Sequence, residues 1–240
     1  MRAIAHPSLL GLARPADAAP IFHDRADAGE RLGAQLASLR GRNVLVLGIP
    51  RGGVPVAAAV ARALDAELDV VVARKLGAPE SAELAIGAVT ADGGRYLNHE
   101  VIDALDVPTA YVERATREQM AEAERRELRF RGGAPPPQVA GRTVLLVDDG
   151  LATGSTMIAA ARSLRARKPG RLIVAVPVGS REACALQSDE VDEVVCLYAP
   201  QPFWAVGVYY RDFEQTEDAD VDELLREARG RRAHAPRGTP

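Results

Sequence analysis

The sequence predicts an α/β fold: a mainly parallel sheet flanked by helices, with a small hood and one extra long helix. Three observations carry that expectation. Short apolar, β-branched runs of strand length alternate with helical stretches along the chain. Two of these runs end in a glycine turn that opens a helix, and in parallel α/β sheets ligands collect at such strand ends. The 240 residues, 47% of them hydrophobic, are also enough to bury a full core in one domain.

Composition narrows the function. A net charge of −3 gives no electrostatic trap for nucleic acid. Cys184 and Cys196 are too few for a disulfide framework, and the histidines His6, His23, His99 and His234 form no ligand cluster. No residue is assigned as a direct metal ligand. No apolar run reaches the length of a membrane span. Met1 to Ala19, broken by Pro7 and Pro15, makes a poor signal peptide. The expectation is a reduced, cytoplasmic protein without nucleic-acid or membrane partners. Among 30 basic residues only Lys75 and Lys168 are lysines. A lysine kept where arginine is the rule marks chemistry that wants a flexible point charge, and Lys75 is placed for it.

In order, residues 1–20 lack periodicity and read as disordered. Ala28, Leu32, Leu36 and Leu39 recur at helical spacing, so Asp24 to Leu39 is a first helix that Phe22 could staple. Asn43 to Ile49 is a buried strand. It runs into Pro50-Arg51-Gly52-Gly53 and a helix over 54–64, with Pro55 in the first turn. Asp65 to Ala73 is a third strand, ending on Arg74-Lys75-Leu76-Gly77. Ala78 to Glu83 reads as an exposed loop, Leu84 to Thr90 as a returning strand, and Arg95 to Leu97 as the second arm of a hairpin. Pro108 to Phe130 is the long helix, whose Glu–Arg pairs mark a solvated face; it packs on the rim or on a partner subunit. A proline-rich linker leads back to the strand at Val144 to Val147. Further strands at 171–177 and 192–197 flank a short helix at 181–187. Tyr198 to Phe213 gathers Tyr198, Phe203, Trp204, Tyr209, Tyr210 and Phe213, either as a hydrophobic plug or as a hood that stacks a flat ligand. Residues 214–240 hold a last helix, 220–229, and a basic tail.

The chain turns on residues 143–162. The strand ends on Asp148 and Asp149, and Gly150 to Thr156 then lead straight into an alanine-rich helix. Such a turn aims amides, the hydroxyls of Thr153, Ser155 and Thr156, and a helix N-terminus at one point, where an anion binds. Gly154 lets the backbone approach it. Two acids beside an anion pocket suit a ligand with a phosphate at one end and vicinal hydroxyls nearby: a ribose 5-phosphate. The bland alternative is a plain βα turn capped by Ser155 or Thr156.

Val-Leu-Leu-Val-Asp-Asp-Gly-Leu-Ala-Thr-Gly-Ser-Thr resembles the phosphoribosyl-diphosphate (PRPP) motif of type I phosphoribosyltransferases, and the resemblance covers roughly residues 22–225. It implies that Asp148 and Asp149 hold the ribose 2- and 3-hydroxyls. It further implies that Gly150, Leu151, Ala152, Thr153, Gly154, Ser155 and Thr156 hold the 5-phosphate. Arg51, Gly52 and Gly53 resemble the pyrophosphate loop. Arg74 and Lys75 would then neutralise the leaving pyrophosphate together with a Mg2+ ion carried by PRPP. The domain so implied spans 21–213, its hood contributed largely by 198–213, with Phe203 or Trp204 as the acceptor platform.

The implied reaction transfers the 5-phosphoribosyl group to a nitrogenous, nucleobase-like acceptor and releases pyrophosphate. The alternative is a PRPP-binding regulatory or sensor protein. Hypoxanthine-guanine members carry a third acid where this chain has Ala152. A proton on the acceptor would therefore fall to Glu83, or second to Glu80. The long helix and the Arg-Lys-Leu-Gly-Ala-Pro stretch look like a branch with an unsettled acceptor. Expected partners are PRPP, a small-molecule acceptor and a second copy of the chain in a dimer.

Overall fold

The structure, a computed structural model, describes residues 20–234, apart from the side chains of Glu83 and 232–234. The segment expected to be disordered lies outside the described residues but for Pro20, as does the end of the basic tail.

Asp24 starts α1 (Arg25–Gln35) by accepting the Asp27 amide at 2.8 Å. The helix expected to reach Leu39 stops at Leu36, and a 3-10 turn, Ala37–Leu39, brings Leu39 inward. β1 (Val44–Gly48) is buried along its whole length and feeds α2 (Gly53–Leu64). The single strand expected over 65–73 is two. β2 (Glu67–Val70) ends where the Val71 amide bonds Gly48 O at 3.2 Å, and the Val72 amide then bonds Glu127 Oε1 at 2.9 Å, off the sheet. β3 (Ala73–Ala78) therefore belongs to a second sheet with β4 (Ser81–Thr90) and β5 (Arg95–Leu97). The apolar run Val70 to Ala73 hid the crossover, because continuous hydrophobicity gives no sign of a change of sheet.

After α3 (His99–Ala104), a short helix that the sequence reading lacked, α4 runs Thr109–Arg131 and stops at Gly132, whose φ of 60° is left-handed. Then come β6 (Thr143–Val147), α5 (Ser155–Ala166), β7 (Arg171–Val178), α6 (Arg181–Gln187), β8 (Glu193–Tyr198) and α7 (Asp218–His234).

The main sheet is parallel, in the order β2-β1-β6-β7-β8. Its three central strands, β1, β6 and β7, are buried on both faces, as the middle of a parallel sheet must be. Val46, Leu145 and Ile173 meet α1, α2 and α7 on one side; Leu45, Leu146 and Val174 meet Met157 and Leu164 of α5 on the other. The small sheet β3-β4-β5 is antiparallel. Its Leu76, Ile86 and Val89 pack with Val107 and Val112 from the α3–α4 region into a core of their own.

The long helix thus lies on the rim of the domain rather than standing free. Its C-terminal end is tied down by Arg131, 6% exposed, which bonds Asp69 (3.1 Å), Glu127 (2.7 Å) and the Val70 carbonyl (2.8 Å). A buried guanidinium is tolerable only when its donors are met in this way.

Candidate active site

β6 ends on Asp148-Asp149, and the chain after it is held against β7: the Leu151 amide bonds Val178 O at 2.9 Å, and Ser180 N bonds Leu151 O at 2.9 Å. Gly154 caps α5 at φ 81°, and a β-carbon there would stand 2.5 Å from Gln187 Nε2. Glycine is required by this backbone and by Gln187, a reason beyond ligand approach. The cap carries no side-chain hydrogen bond. Ser155 and Thr156 therefore do not cap the helix, and its first-turn amides keep the anion-binding character of a helix N-terminus. α2 begins in the same way, at Gly52 and without a side-chain cap. The Pro50–Arg51 peptide just before it is cis.

These two turns and the small sheet enclose a cavity of about 730 Å3. Arg51, Gly52, Arg74, Lys75, Asp148 and Thr156 line it together, from four separate stretches of chain. Arg74 and Lys75 reach it differently than expected. They lie inside β3 rather than at the end of a parallel strand, and alternation puts them on opposite faces. Arg74 is fixed by Gln119 of α4 at 3.1 Å, while Lys75 is exposed.

The exposed loop expected over 78–83 shrinks to a turn at Pro79 and Glu80. Tyr111 Oη pins it by donating to Gly77 O at 3.0 Å. Glu80 lines the cavity, as do Tyr111 and Glu118 of α4. Glu83 is in β4, not in a loop, and its side chain lies outside the described residues.

Asp149 is held on the other side of the turn. Arg25 Nε donates to its Oδ2 at 2.8 Å, and Tyr210 Oη donates to its backbone carbonyl at 2.6 Å. Its own amide donates to Asp148 Oδ1 at 2.8 Å. Burial and then the charge of Asp149 push the Asp148 carboxyl well above the usual aspartate range. Burial also raises Asp149, but Arg25 works against it. No sequence signal marked Arg25, which lies 124 residues from its partner.

Ala152 and Thr153, on the far side of the turn, line a second cavity of about 600 Å3 with Ser180, Arg181, Phe203 and Trp204. The aromatic segment divides its work. Tyr209 and Tyr210 are buried against Phe22, whose amide bonds Tyr209 O at 3.0 Å, so they serve as the plug. Trp204 is 55% exposed at the cavity, with Phe203 beside it packed on Tyr209, ring centroids 5.5 Å apart.

Arg51 is not free in this structure: Glu217 and Asp218, at the start of α7, hold its NH1 at 3.1 and 3.8 Å. Asp218 also bonds Arg126 and Arg129 of α4.

Two capless helix starts, Arg51 and paired acids lie at the carboxyl ends of a parallel α/β sheet, faced by Arg74 and Lys75 of the small sheet, which is the architecture of the α/β proteins that bind ligands at those strand ends. A phosphoribosyl transferase domain model matches residues 21–92 and 88–212. The chain belongs to the phosphoribosyl transferase family. Relatives from two strains of Mycobacterium tuberculosis, provisionally named phosphoribosyl transferases, are 46% identical over 205 residues, 85% of this chain and 46% of theirs. The chain thus spans about half the length of the curated relatives it matches. The crystal structure of TT1426 from Thermus thermophilus is 44% identical, with a TM-score of 0.73 over 86% of this chain and 98% of that one. A Neisseria gonorrhoeae protein crystallised with bound ppGpp is 14% identical, with a TM-score of 0.50 over 88% of this chain and 96% of its own; it shows a shared fold. No helix among the described residues is long and apolar enough to cross a membrane.

Proposed function

We propose that the protein transfers the 5-phosphoribosyl group of PRPP to a nitrogenous, nucleobase-like acceptor and releases pyrophosphate. The observation that carries this reading is the single cavity in which Arg51, Lys75, Asp148 and Thr156 meet. The uncapped start of α5 takes the 5-phosphate, Asp148 and Asp149 take the ribose diol, and Arg51 with Lys75 takes the pyrophosphate. The acceptor nitrogen attacks C1 as the bond from C1 to the pyrophosphate oxygen breaks, with that electron pair leaving on pyrophosphate. Positive charge developing on the ring is offset by the negative charge the acid pair carries.

Phe203 and Trp204 support an acceptor place on the second cavity, since the same turn contributes Thr156 to one cavity and Thr153 to the other. The two sequence candidates for the acceptor proton stay proposals: Glu80 lines the main cavity rather than the acceptor's, and the Glu83 side chain lies outside the described residues.

The donor set suits a magnesium ion that comes with the substrate. No group of three or more His, Cys, Asp or Glu side chains among the described residues could hold a metal, and one of the paired acids already binds Arg25. Mg2+ on the phosphates would supply charge neutralisation for the leaving group.

The test is a pyrophosphate-release screen with PRPP, magnesium and a panel of nucleobases and small aromatic amines, against Asp149→Asn. At least one acceptor should release pyrophosphate faster than the variant does. If none does while PRPP still binds, the sensor reading replaces this one.

A further inference from the structure

We propose that Arg25 is a positioning residue: it holds Asp149 as the charged, aimed partner of the ribose diol. The inference rests on the PRPP reading above and adds a residue to it.

The geometry leaves Arg25 little freedom. Nε takes Asp149 Oδ2 at 2.8 Å, NH1 donates to the Glu214 carbonyl at 2.6 Å, and the guanidinium lies 3.9 Å from the Phe213 ring centroid. Its side chain is 12% exposed and that of Asp149 is 15% exposed, so neither charge is well solvated. A planar guanidinium fixed at three points fixes in turn the plane of the carboxylate it binds. Arg25 engages Oδ2 of Asp149, which leaves Oδ1 to meet a ligand hydroxyl.

The electrostatics give a reason for the arrangement. Two adjacent, largely desolvated carboxylates do not both ionise readily, and a neighbouring cation decides which one does. Arg25 touches Asp149, not Asp148, so the charge settles on Asp149. Against burial and the charge of Asp149, which raise Asp148, Arg25 and, more weakly, Lys75 from β3 also lower it; burial, the two acids and Asp27 of α1 in turn raise Tyr210, whose hydroxyl bonds the Asp149 backbone carbonyl.

The test measures the Kd of PRPP with magnesium by calorimetry across a pH series, for wild type, Arg25→Gln, Arg25→Lys, Asp149→Asn and the Arg25→Gln/Asp149→Asn double variant, with circular dichroism to confirm folding. Arg25→Gln should weaken binding roughly tenfold at neutral pH and move the acidic loss of binding toward neutrality. Arg25→Lys should recover much of both. In the Asp149→Asn background, adding Arg25→Gln should change neither. Arg25→Gln binding as tightly as wild type or tighter, or losses that add in the double variant, would overturn the inference while leaving the transferase reading intact. Wild type that binds no PRPP at any pH would overturn both. Should Arg25→Gln fail to fold, Arg25→Lys is read instead: an intermediate loss, smaller than that of Asp149→Asn, supports the inference, and either wild-type behaviour or a loss as large as that of Asp149→Asn overturns it.

Discussion

A β-carbon on Gly52 would stand 2.1 Å from Oδ2 of Asp149. The first residue of the α2 turn and the second acid of the α5 turn therefore meet across β1 and β6, two neighbouring parallel strands. The same β-carbon would come within 3.3 Å of Arg25 Nε. Gly52 is thus small because the ion pair lies against it.

Gly52→Ala is accordingly expected to push the Asp149 carboxylate off Arg25. Overpacking of this kind costs about 1–3 kcal/mol. The Kd for PRPP should rise roughly tenfold or more, and calorimetry beside a thermal melt checks both. Unchanged binding would mean that the pair can be shifted without consequence.

The Asp148 to Thr156 turn was legible in the sequence because all its parts are contiguous: strand, acids, small residues and helix follow without interruption. The sheet was legible for a related reason, since strands such as Val44–Gly48 and Thr143–Val147 are apolar on both faces. Arg25 was not, because its partner lies 124 residues away and nothing near Asp24 distinguishes it from a surface arginine at a helix start. The second sheet was hidden for want of any polar break between Val70 and Ala73. The anchoring of the hairpin turn needed Tyr111, a contact between distant segments that no local pattern encodes.

The clamp on Arg51 leads to a prediction of the opposite sign. Glu217 is 59% exposed in its side chain, so its pair with Arg51 contributes about 0–1 kcal/mol to stability. Glu217→Gln should leave the melting temperature nearly unchanged. If pyrophosphate must draw Arg51 away from α7, the same variant should bind PRPP up to about fivefold more tightly at low salt, a gain that fades as salt rises. Weaker binding would show instead that Glu217 holds Arg51 in its working position.

Arg131 separates structure from function. It is buried among Asp69, Glu127 and Val70 O, far along α4 from the cavity-lining Tyr111 and Gln119. Arg131→Ala leaves two carboxylates without their cation and should cost about 3–5 kcal/mol in denaturant unfolding. PRPP affinity of the folded fraction should hold within about twofold. A large loss of affinity would place α4 in direct control of the site.

Trp204→Ala tests the acceptor side alone. With the indole more than half exposed, its removal should leave stability unaltered. With an acceptor found by the release screen, the acceptor KM should rise roughly tenfold for the loss of one stacking face, at constant PRPP affinity. Equal effects on both substrates would move the acceptor out of the second cavity.

Asp148 carries the last prediction, and its sign follows from burial. The folded protein holds this proton more tightly than the unfolded chain, whose carboxyl titrates near the ordinary value of 3.8. Below that value both states are protonated, and the group makes no difference to stability. As pH rises above it the unfolded chain releases its proton first, so the folded state loses stability steadily until its own carboxyl ionises. Asp149 adds to the trend, less strongly because Arg25 opposes its shift. Asp148→Asn removes the ionisation altogether. It should melt close to wild type at about pH 4 and several degrees higher at about pH 8, since each kcal/mol of relief is worth about 2–4 °C in a domain of this size. A melting difference that stays flat across that range would show that the paired acids sit in water in the folded protein.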